Sequence, residues 1–369
     1  MLVLLNGLQA GNLSGTGRYT VELARRLPGM AEDVQCAILW PRHVPEPHVV
    51  SGQQQALRQV DARRSWRRIG YDQCIIRFER RRLKADVVHF PANIGPLMPM
   101  RRAVLTIHDL SFLRNASWFR SDRAAYYRWS VGRSARLAAR VITDSHATAA
   151  DLNELLGIPA DRVDVIPLGV GEEFRPASQE QRAAVRAWYK LPEAFFLYVG
   201  TIEPRKNLVS LIEAWNRNAA KCPQDLVIAG RDGWKVKPVR TAAALSPYAK
   251  RIHFPGFVAN EDLPALLSSA HVFVWPSLCE GFGLPPLEAM ACGAPVVTSN
   301  VSSLPEVVGD AALQVSPTDV EALADVMLRA ATDPALRATL TGKGTSRAAT
   351  FTWERTARLT LDSYRAASR

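Results

Sequence analysis

No apolar run in the 369-residue chain approaches the roughly 18–20 residues that span a bilayer, so no membrane-crossing helix is expected. Cysteine is sparse and scattered. Cys36, Cys74, Cys222, Cys279 and Cys292 are odd in number and never stand in C-x-x-C spacing, which argues against a disulfide framework and a structural zinc site. All five are expected to serve packing, in a reducing, cytoplasmic setting. There is no Asp-x-Asp pair of the kind that holds a divalent ion, and no repeat of 20–50 residues. The dinucleotide fingerprint G-x-G-x-x-G is incomplete, because Thr20 stands where the third glycine belongs; this argues against a nicotinamide dehydrogenase. The opening Met1-Leu2-Val3-Leu4-Leu5 lacks a basic leader and breaks at Asn6-Gly7, so it reads as a strand rather than a signal peptide.

What is present is ample core-forming material. The chain is 47% hydrophobic and 22% charged, with 22 Gly and 24 Pro, a composition that excludes disorder and fibrous repeats. Its net charge of +11 is uneven: residues 1–175 hold 25 Lys+Arg against 17 Asp+Glu, residues 176–369 hold 21 against 18. The densest basic stretch runs from Arg58 to Lys84, where ten basic residues stand against three acidic ones. It interleaves cations with Trp66, Tyr71, Ile75, Ile76 and Phe78. A solvated helix face and peripheral docking on an anionic membrane both fit this pattern.

Short apolar runs alternate with helical stretches. Strands are expected at Leu2–Asn6, Val34–Trp40, Asp86–Phe90, Ala103–Ile107, Arg140–Thr143 and Val163–Pro167. A second set is expected at Phe195–Gly200, Leu226–Ala229, Ile252–Pro255, Val272–Trp275 and Pro295–Thr298. Runs without polar alternation, separated by helices, indicate parallel sheets buried on both faces. The Gly/Pro/Glu-rich segment from Gly169 to Pro176 divides the sets. The fold class is therefore α/β, two doubly wound Rossmann-like domains facing across a cleft. Residues 1–172 form the first domain and 173–350 the second. Residues 351–369 form a terminal helix, capped by Thr352 and anchored by Trp353, Leu359 and Tyr364, that packs back towards the first domain.

Three clusters carry chemistry. Ser14-Gly15-Thr16-Gly17-Arg18 is a small-residue loop ahead of a helix, where backbone amides can approach an anion, though a tight turn without function gives the same pattern. Gly200-Thr201-Ile202-Glu203-Pro204-Arg205-Lys206-Asn207 sets adjacent cations at a strand's carboxyl end, suited to a phosphate. In Glu280-Gly281-Phe282-Gly283-Leu284-Pro285-Pro286-Leu287-Glu288, two prolines mark a helix start. Two carboxylates there can accept hydroxyl hydrogen bonds beside a positive helix end.

Glu280 and Glu288 stand as the Glu-x7-Glu motif of retaining glycosyltransferase family 4, and the chain resembles that family along essentially its whole length. Gly200-Thr201, Arg205-Lys206-Asn207, Ala291-Cys292-Gly293-Ala294-Pro295 and Leu304-Pro305-Glu306-Val307 match its C-terminal domain. Gly15-Thr16-Gly17-Arg18-Tyr19, His108-Asp109 and Ile166-Pro167-Leu168-Gly169 match the N-terminal one. The glycine loop departs from the family by opening Ser14-Gly15 instead of with paired glycines.

The resemblance implies the GT-B fold and a metal-independent, retaining hexosyltransferase without a cofactor. It places acceptor binding in the first domain and the sugar nucleotide in the second. His108, Arg205, Lys206 and Glu280 are then catalytic. Donor-binding residues are Gly15, Gly17, Gly200, Thr201, Phe257, Val258, Phe282, Gly283, Leu284 and Glu288, with Glu288 on the ribose and Phe257-Val258 at the base. Asp109, Ser145 and His146 stand on the acceptor side, although Asp144 or Ser145 can equally cap the next helix. The TIEPRKN and HDLSF stretches, Thr201–Asn207 and His108–Phe112, resemble the mannosyltransferase-like branch. GDP-mannose or GDP-rhamnose therefore ranks ahead of a UDP-sugar, with a glycan or lipid-diphosphate acceptor in polysaccharide or lipopolysaccharide synthesis. Localisation is expected in the cytoplasm, peripheral on the inner face of its membrane. From another class, a basic nucleic-acid-binding protein would explain the charge, but not two carboxylates beside a glycine-rich loop.

Overall fold

The structure is a computed structural model and describes residues 1–12, 15–50, 56–61, 70–119 and 121–369, with the side chains of 56 and 121–124 not described. The expectations placed on Ser14 and on Arg63 to Arg68, Trp66 included, lie outside the described residues.

The chain divides into two compact units, Met1–Gly169 with Thr352–Arg369, and Val170–Phe351. Unit 1 holds a sheet of β1 (Leu2–Asn6), β2 (Gln35–Pro41), β3 (Ala56–Val60), β4 (Val87–Phe90), β5 (Ala103–Ile107), β6 (Arg140–Thr143) and β7 (Val163–Val165). Every pairing is parallel, in the order β3-β2-β1-β4-β5-β6-β7. Unit 2 holds β8 (Phe195–Val199), β9 (Asp225–Ala229), β10 (Ile252–Gly256), β11 (Val272–Trp275), β12 (Val296–Ser299) and β13 (Leu313–Val315), parallel in the order β10-β9-β8-β11-β12-β13. In each sheet the first strand sits where the winding reverses. The crevices beside β1/β4 and β8/β11 are thus the switch points at which such sheets bind ligands.

The strands are buried as their unbroken apolar runs require: Val3, Val87, Val104, Phe196, Val227 and Val274 are all fully enclosed. β3 and β13, absent from the sequence reading, are both sheet-edge strands. The Leu-Arg-Gln-Val of β3 and the three residues of β13 carry little apolar pattern to read. The terminal helix Trp353–Ser368 is capped by the Thr352 hydroxyl, which accepts from the Arg355 N–H at 3.2 Å. Trp353 and Tyr364 are buried anchors, but Leu361 rather than the half-buried Leu359 fills the remaining core position. The helix spacing places 353, 357, 361 and 364 on one face, and 359 falls off it.

Two further expectations change. Ile76 is fully buried and cannot meet a membrane, whereas Phe78 is 60% exposed. Glu79, also fully enclosed, is paired with Arg58 and with Arg82 at 2.8 Å, so part of the basic stretch neutralises a core carboxylate. Nor do all five thiols serve packing: Cys74 is exposed and Cys279 half-buried in a loop, while Cys36, Cys222 and Cys292 are buried.

Gly15 and Gly17 belong to the first turn of the helix Gly15–Arg26 rather than to a loop before it. A Cβ at Gly17 would collide with the Asn12 carbonyl, so this glycine permits a close backbone approach. Gly342, inside the helix Pro334–Ala348, meets nothing. Gly17→Ala is expected to destabilise the protein by about 1–3 kcal/mol. Gly342→Ala should stabilise it by about 0.5–1 kcal/mol, through lower backbone entropy in the unfolded chain. Thermal unfolding of the two variants should move in opposite directions.

Candidate active site

Unit 2 gathers charge at the carboxyl ends of β8 and β11. β8 runs into Gly200, where a Cβ would press on the Tyr198 hydroxyl and the Trp275 ring, so glycine lets the two strand ends close together. The chain then makes a single turn, Pro204–Lys206, and Asn207 takes the left-handed conformation at φ 57°. The Asn207 amide donates to the carbonyls of Pro276 (3.2 Å) and Pro317 (2.7 Å), which fixes this turn against the segments that follow β11 and β13.

The turn aims Arg205 and Lys206 at one carboxylate. Arg205 Nη1 donates to Glu280 Oε2 at 2.7 Å and to the Cys279 carbonyl at 2.6 Å, while Nη2 reaches Glu203 Oε1 at 3.0 Å. Lys206 Nζ donates to Glu280 Oε1 at 2.6 Å and lies 4.6 Å from the centroid of the Trp275 ring, itself stacked on Tyr198. Two cations and two carboxylates are thus held within hydrogen-bond reach, nearly out of solvent. Below them the Ser303 hydroxyl donates to the carbonyl of Phe282 (2.7 Å), and the Glu280 N–H donates to Ser302 Oγ at 2.9 Å.

The electrostatics of the pair are asymmetric. Burial works to raise the Glu280 pKa, but Arg205 and Lys206 outweigh it and hold the carboxyl at about 2, so it is ionised. Lys206 moves the unfavourable way. Burial first, then the neighbouring Arg205, lower its pKa despite the attraction of Glu280 and Glu203. The geometry favours the ionised carboxylate, with two hydrogen-bonded cations on its two oxygens. The depressed lysine records its burial first and the like charge of Arg205 second, and an arriving anion would favour its charged form.

Immediately downstream Gly283, at φ 118°, stands at the N-cap of the helix Leu284–Ala291 with Pro285 and Pro286 in its first turn. The positive φ is one that glycine alone takes without strain. The proline rings remove N–H groups that the first turn leaves unbonded in any case. Glu288 is buried in the second turn, and Phe282 and Leu284 are buried on either side of the glycine. At the other edge, Thr201 is exposed and Phe257 is 47% exposed, but Val258 is buried, so only its backbone can border a ligand.

In unit 1, His108 follows β5 and its N–H donates to Asn93 Oδ1 at 2.9 Å. Its ring joins Asp144 Oδ2 (Nδ1, 2.8 Å) and the Pro91 carbonyl (Nε2, 3.2 Å). A carbonyl only accepts, so Nε2 carries a proton. Burial acts to lower the His108 pKa, yet Asp144 and the Pro91 carbonyl leave it raised; at Asp144 burial acts the other way and outweighs the histidine, so that carboxyl is raised too. Asp144, which the sequence offered as a helix cap, is this histidine's partner. Ser145, expected on the acceptor side, is the cap: its hydroxyl accepts the Thr148 N–H at 3.1 Å, starting the helix His146–Leu156. Asp109 similarly accepts from the Ser111 N–H (3.0 Å) and hydroxyl (2.6 Å), and His146 is exposed.

A buried polar chain that sequence reasoning missed lies behind these groups. Tyr19 meets Thr106 Oγ1 at 3.0 Å, Thr106 meets His89 Nε2 at 2.8 Å, and His89 Nδ1 meets the Tyr364 hydroxyl at 2.7 Å. Burial pushes the His89 pKa down to about 3, keeping it neutral. A depression of about 440 Å³ elsewhere on unit 1 is lined by Arg26, Arg358 and Arg365, but Arg26 is paired with Glu22 and Arg365 with Asp33. Among the described residues no group of His, Cys, Asp and Glu is placed to hold a metal ion, and no helix is long and apolar enough to cross a membrane.

Comparison with known proteins accounts for both units. Residues 13–174 match the family model described as Glycosyltransferase Family 4, and residues 184–347 match that of the Glycosyl transferases group 1. The chain is 35% identical over 283 residues to the O-antigen chain mannosyltransferase B of Escherichia coli, covering 76% of this chain and 74% of that protein. It is 36% identical over 289 residues to the serotype-specific mannosyltransferase WbdA of Escherichia coli, covering 75% of this chain but only 34% of that longer one. Among solved structures, sucrose-phosphate synthase from Thermosynechococcus elongatus shares the fold, with a TM-score of 0.75 at 23% identity over 99% of this chain and 98% of that one. The two doubly wound sheets are those of the GT-B class, and the chain belongs to glycosyltransferase family 4.

Proposed function

We propose that this glycosyltransferase moves a mannosyl or closely related hexosyl group from a GDP-linked donor, with retained configuration, to a glycan or lipid-linked acceptor during assembly of a lipopolysaccharide O-antigen. The observation that carries the donor side is the convergence of Arg205, Lys206 and Glu280 at the β8/β11 switch point. The mannosyl group is supported by the two Escherichia coli mannosyltransferases that the chain resembles.

Cleavage at the anomeric carbon leaves negative charge growing on the diphosphate and positive character on the sugar. Arg205 and Lys206 are already gathered at one point and desolvated, so turning them from Glu280 to the diphosphate asks only a local exchange of partners, and charge held ready in this way stabilises a leaving group strongly. Glu280, ionised between them, accepts hydroxyl hydrogen bonds from the sugar, and Glu288 those of the ribose. Amides around Phe282-Gly283-Leu284 face the phosphate or sugar. His108 and Asp109 keep the sugar-side and acceptor-side roles that the family resemblance gives them. Since side chains supply the compensating charge, the reaction needs no divalent ion.

A thermal-shift panel of GDP, UDP and ADP with their sugar conjugates tests the reading. GDP and GDP-mannose should raise the melting temperature most, and transfer should continue undiminished in a chelator. No shift with any nucleoside diphosphate would refute a nucleotide-sugar site.

A further inference from the structure

Beyond the charged cluster, one exposed group on unit 2 is built but unused. The Arg231 guanidinium lies 4.0 Å from the centroid of the Phe257 ring, and Phe257 leaves nearly half its surface open to solvent. Among the described residues the Arg231 side chain makes no hydrogen bond or ion pair. Asp232, its neighbour in the chain, is taken by Arg240 at 2.7 Å and does not compete for it.

Backbone hydrogen bonds tie this pair to the Arg205 turn. The Ile202 N–H donates to the Arg231 carbonyl at 2.9 Å and the Gly233 N–H to the Ile202 carbonyl at 3.0 Å, so the loop after β9 runs alongside Thr201–Glu203. The Gly230 N–H donates to the Gly256 carbonyl at 2.7 Å, joining that loop to the one carrying Phe257. At Gly230, φ is 141° and a Cβ would collide with the Gly200 carbonyl, so the three loops lie as one continuous ledge across the ends of β10, β9 and β8. Strands about 5 Å apart put the backbone at Arg231, past the end of β9, about one spacing from the end of β8 and about two from that of β11. A nucleoside diphosphate spans a separation of that order between base and β-phosphate.

We propose that Arg231, laid over Phe257, reads the donor's nucleobase and selects guanine through its O6/N7 edge. A guanidinium held on an aromatic ring keeps its in-plane N–H fork directed outwards, and that fork matches the paired acceptors of guanine. Adenine offers an acceptor and a donor at the same edge, and uracil has no N7. Phe257 supplies the platform that holds the guanidinium and adds no base preference of its own. This inference rests on the proposed nucleotide-sugar site and names the residue that sets its base preference.

Calorimetric titration of wild type, Arg231→Ala and Arg205→Ala with GDP, IDP, 7-deaza-GDP, UDP and ADP tests it. Wild type should bind GDP and IDP alike, since inosine keeps O6 and N7. It should bind 7-deaza-GDP, ADP and UDP about tenfold to a hundredfold more weakly, the range for loss of one bidentate base contact. Arg231→Ala should bring all five within about threefold of one another, whereas Arg205→Ala should weaken all five without changing their order. Arg231 is exposed, so its removal leaves the fold intact. Equal weakening of all five in Arg231→Ala would make it a phosphate ligand and overturn the inference, as would an unchanged preference for GDP. If wild type binds none of the five, the nucleotide-sugar site itself fails.

Discussion

Arg205→Ala is expected to lower the transfer rate about 100- to 1000-fold, the usual consequence of removing one preorganised donor from the charge that grows in a transition state. The loss should fall on kcat more than on KM, because the leaving group carries more charge in the transition state than in the bound donor. Lys206→Ala should behave similarly. Arg205→Lys should recover only part of the rate: an ammonium can answer Glu280 but cannot also span Glu203 and the Cys279 carbonyl, as the guanidinium does. Circular dichroism of each variant guards against loss of fold. The concern is real, since removing one member of a buried ion pair costs about 3–5 kcal/mol. Folded variants with wild-type turnover would defeat the assignment of these cations to the leaving group.

Glu280→Gln should damage stability as well as turnover. The carboxyl has a pKa of about 2 in the folded protein against 4.5 for the free group, and it is 9% exposed, so ionisation there stabilises the fold by about 3 kcal/mol at neutral pH. A depressed carboxylate contributes fully above its unfolded pKa and loses its contribution as pH falls from about 4.5 towards 2. Wild type should therefore lose stability steeply across that interval, and Glu280→Gln, already weakened at pH 7, should lose less over the same range. Denaturant melts at pH 7 and pH 3 measure the difference. Equal acid sensitivity in both proteins would show that Glu280 is not the group held ionised by Arg205 and Lys206.

The folded arrangement also refines what the motif suggested. Read from sequence, Arg205 and Lys206 belonged to a phosphate and Glu280 to sugar hydroxyls. Folded, the three satisfy one another, with Glu203 as a fourth member that the spacing did not single out. Desolvated charges must be paired, so a site that waits for an anion keeps its cations balanced until the anion comes. Glu203 was hidden because a lone acid two residues before a cation is ordinary in sequence. Its role arises only when the Pro204–Lys206 turn brings it back onto the guanidinium.

The sequence by itself determined the class of fold and the location of its chemistry. Short Val/Ile/Leu/Phe runs, bounded by turn residues and alternating with helical stretches, read as strands covered on both faces, and the two prolines of Gly-Phe-Gly-Leu-Pro-Pro mark a helix start with glycine at its mouth. The edge strands β3 and β13 escaped because a strand paired on one side needs no continuous apolar run. Only the tertiary structure decided which side chains face one another. It gave Asp144 to His108 and left the capping to Ser145, sent Ile76 into the core while exposing Phe78, and laid Arg231 over Phe257, 26 residues away in the chain. The physical reason is range: helix and strand patterning is local, whereas charge pairing and stacking act between segments that parallel crossovers bring together from distant parts of the chain.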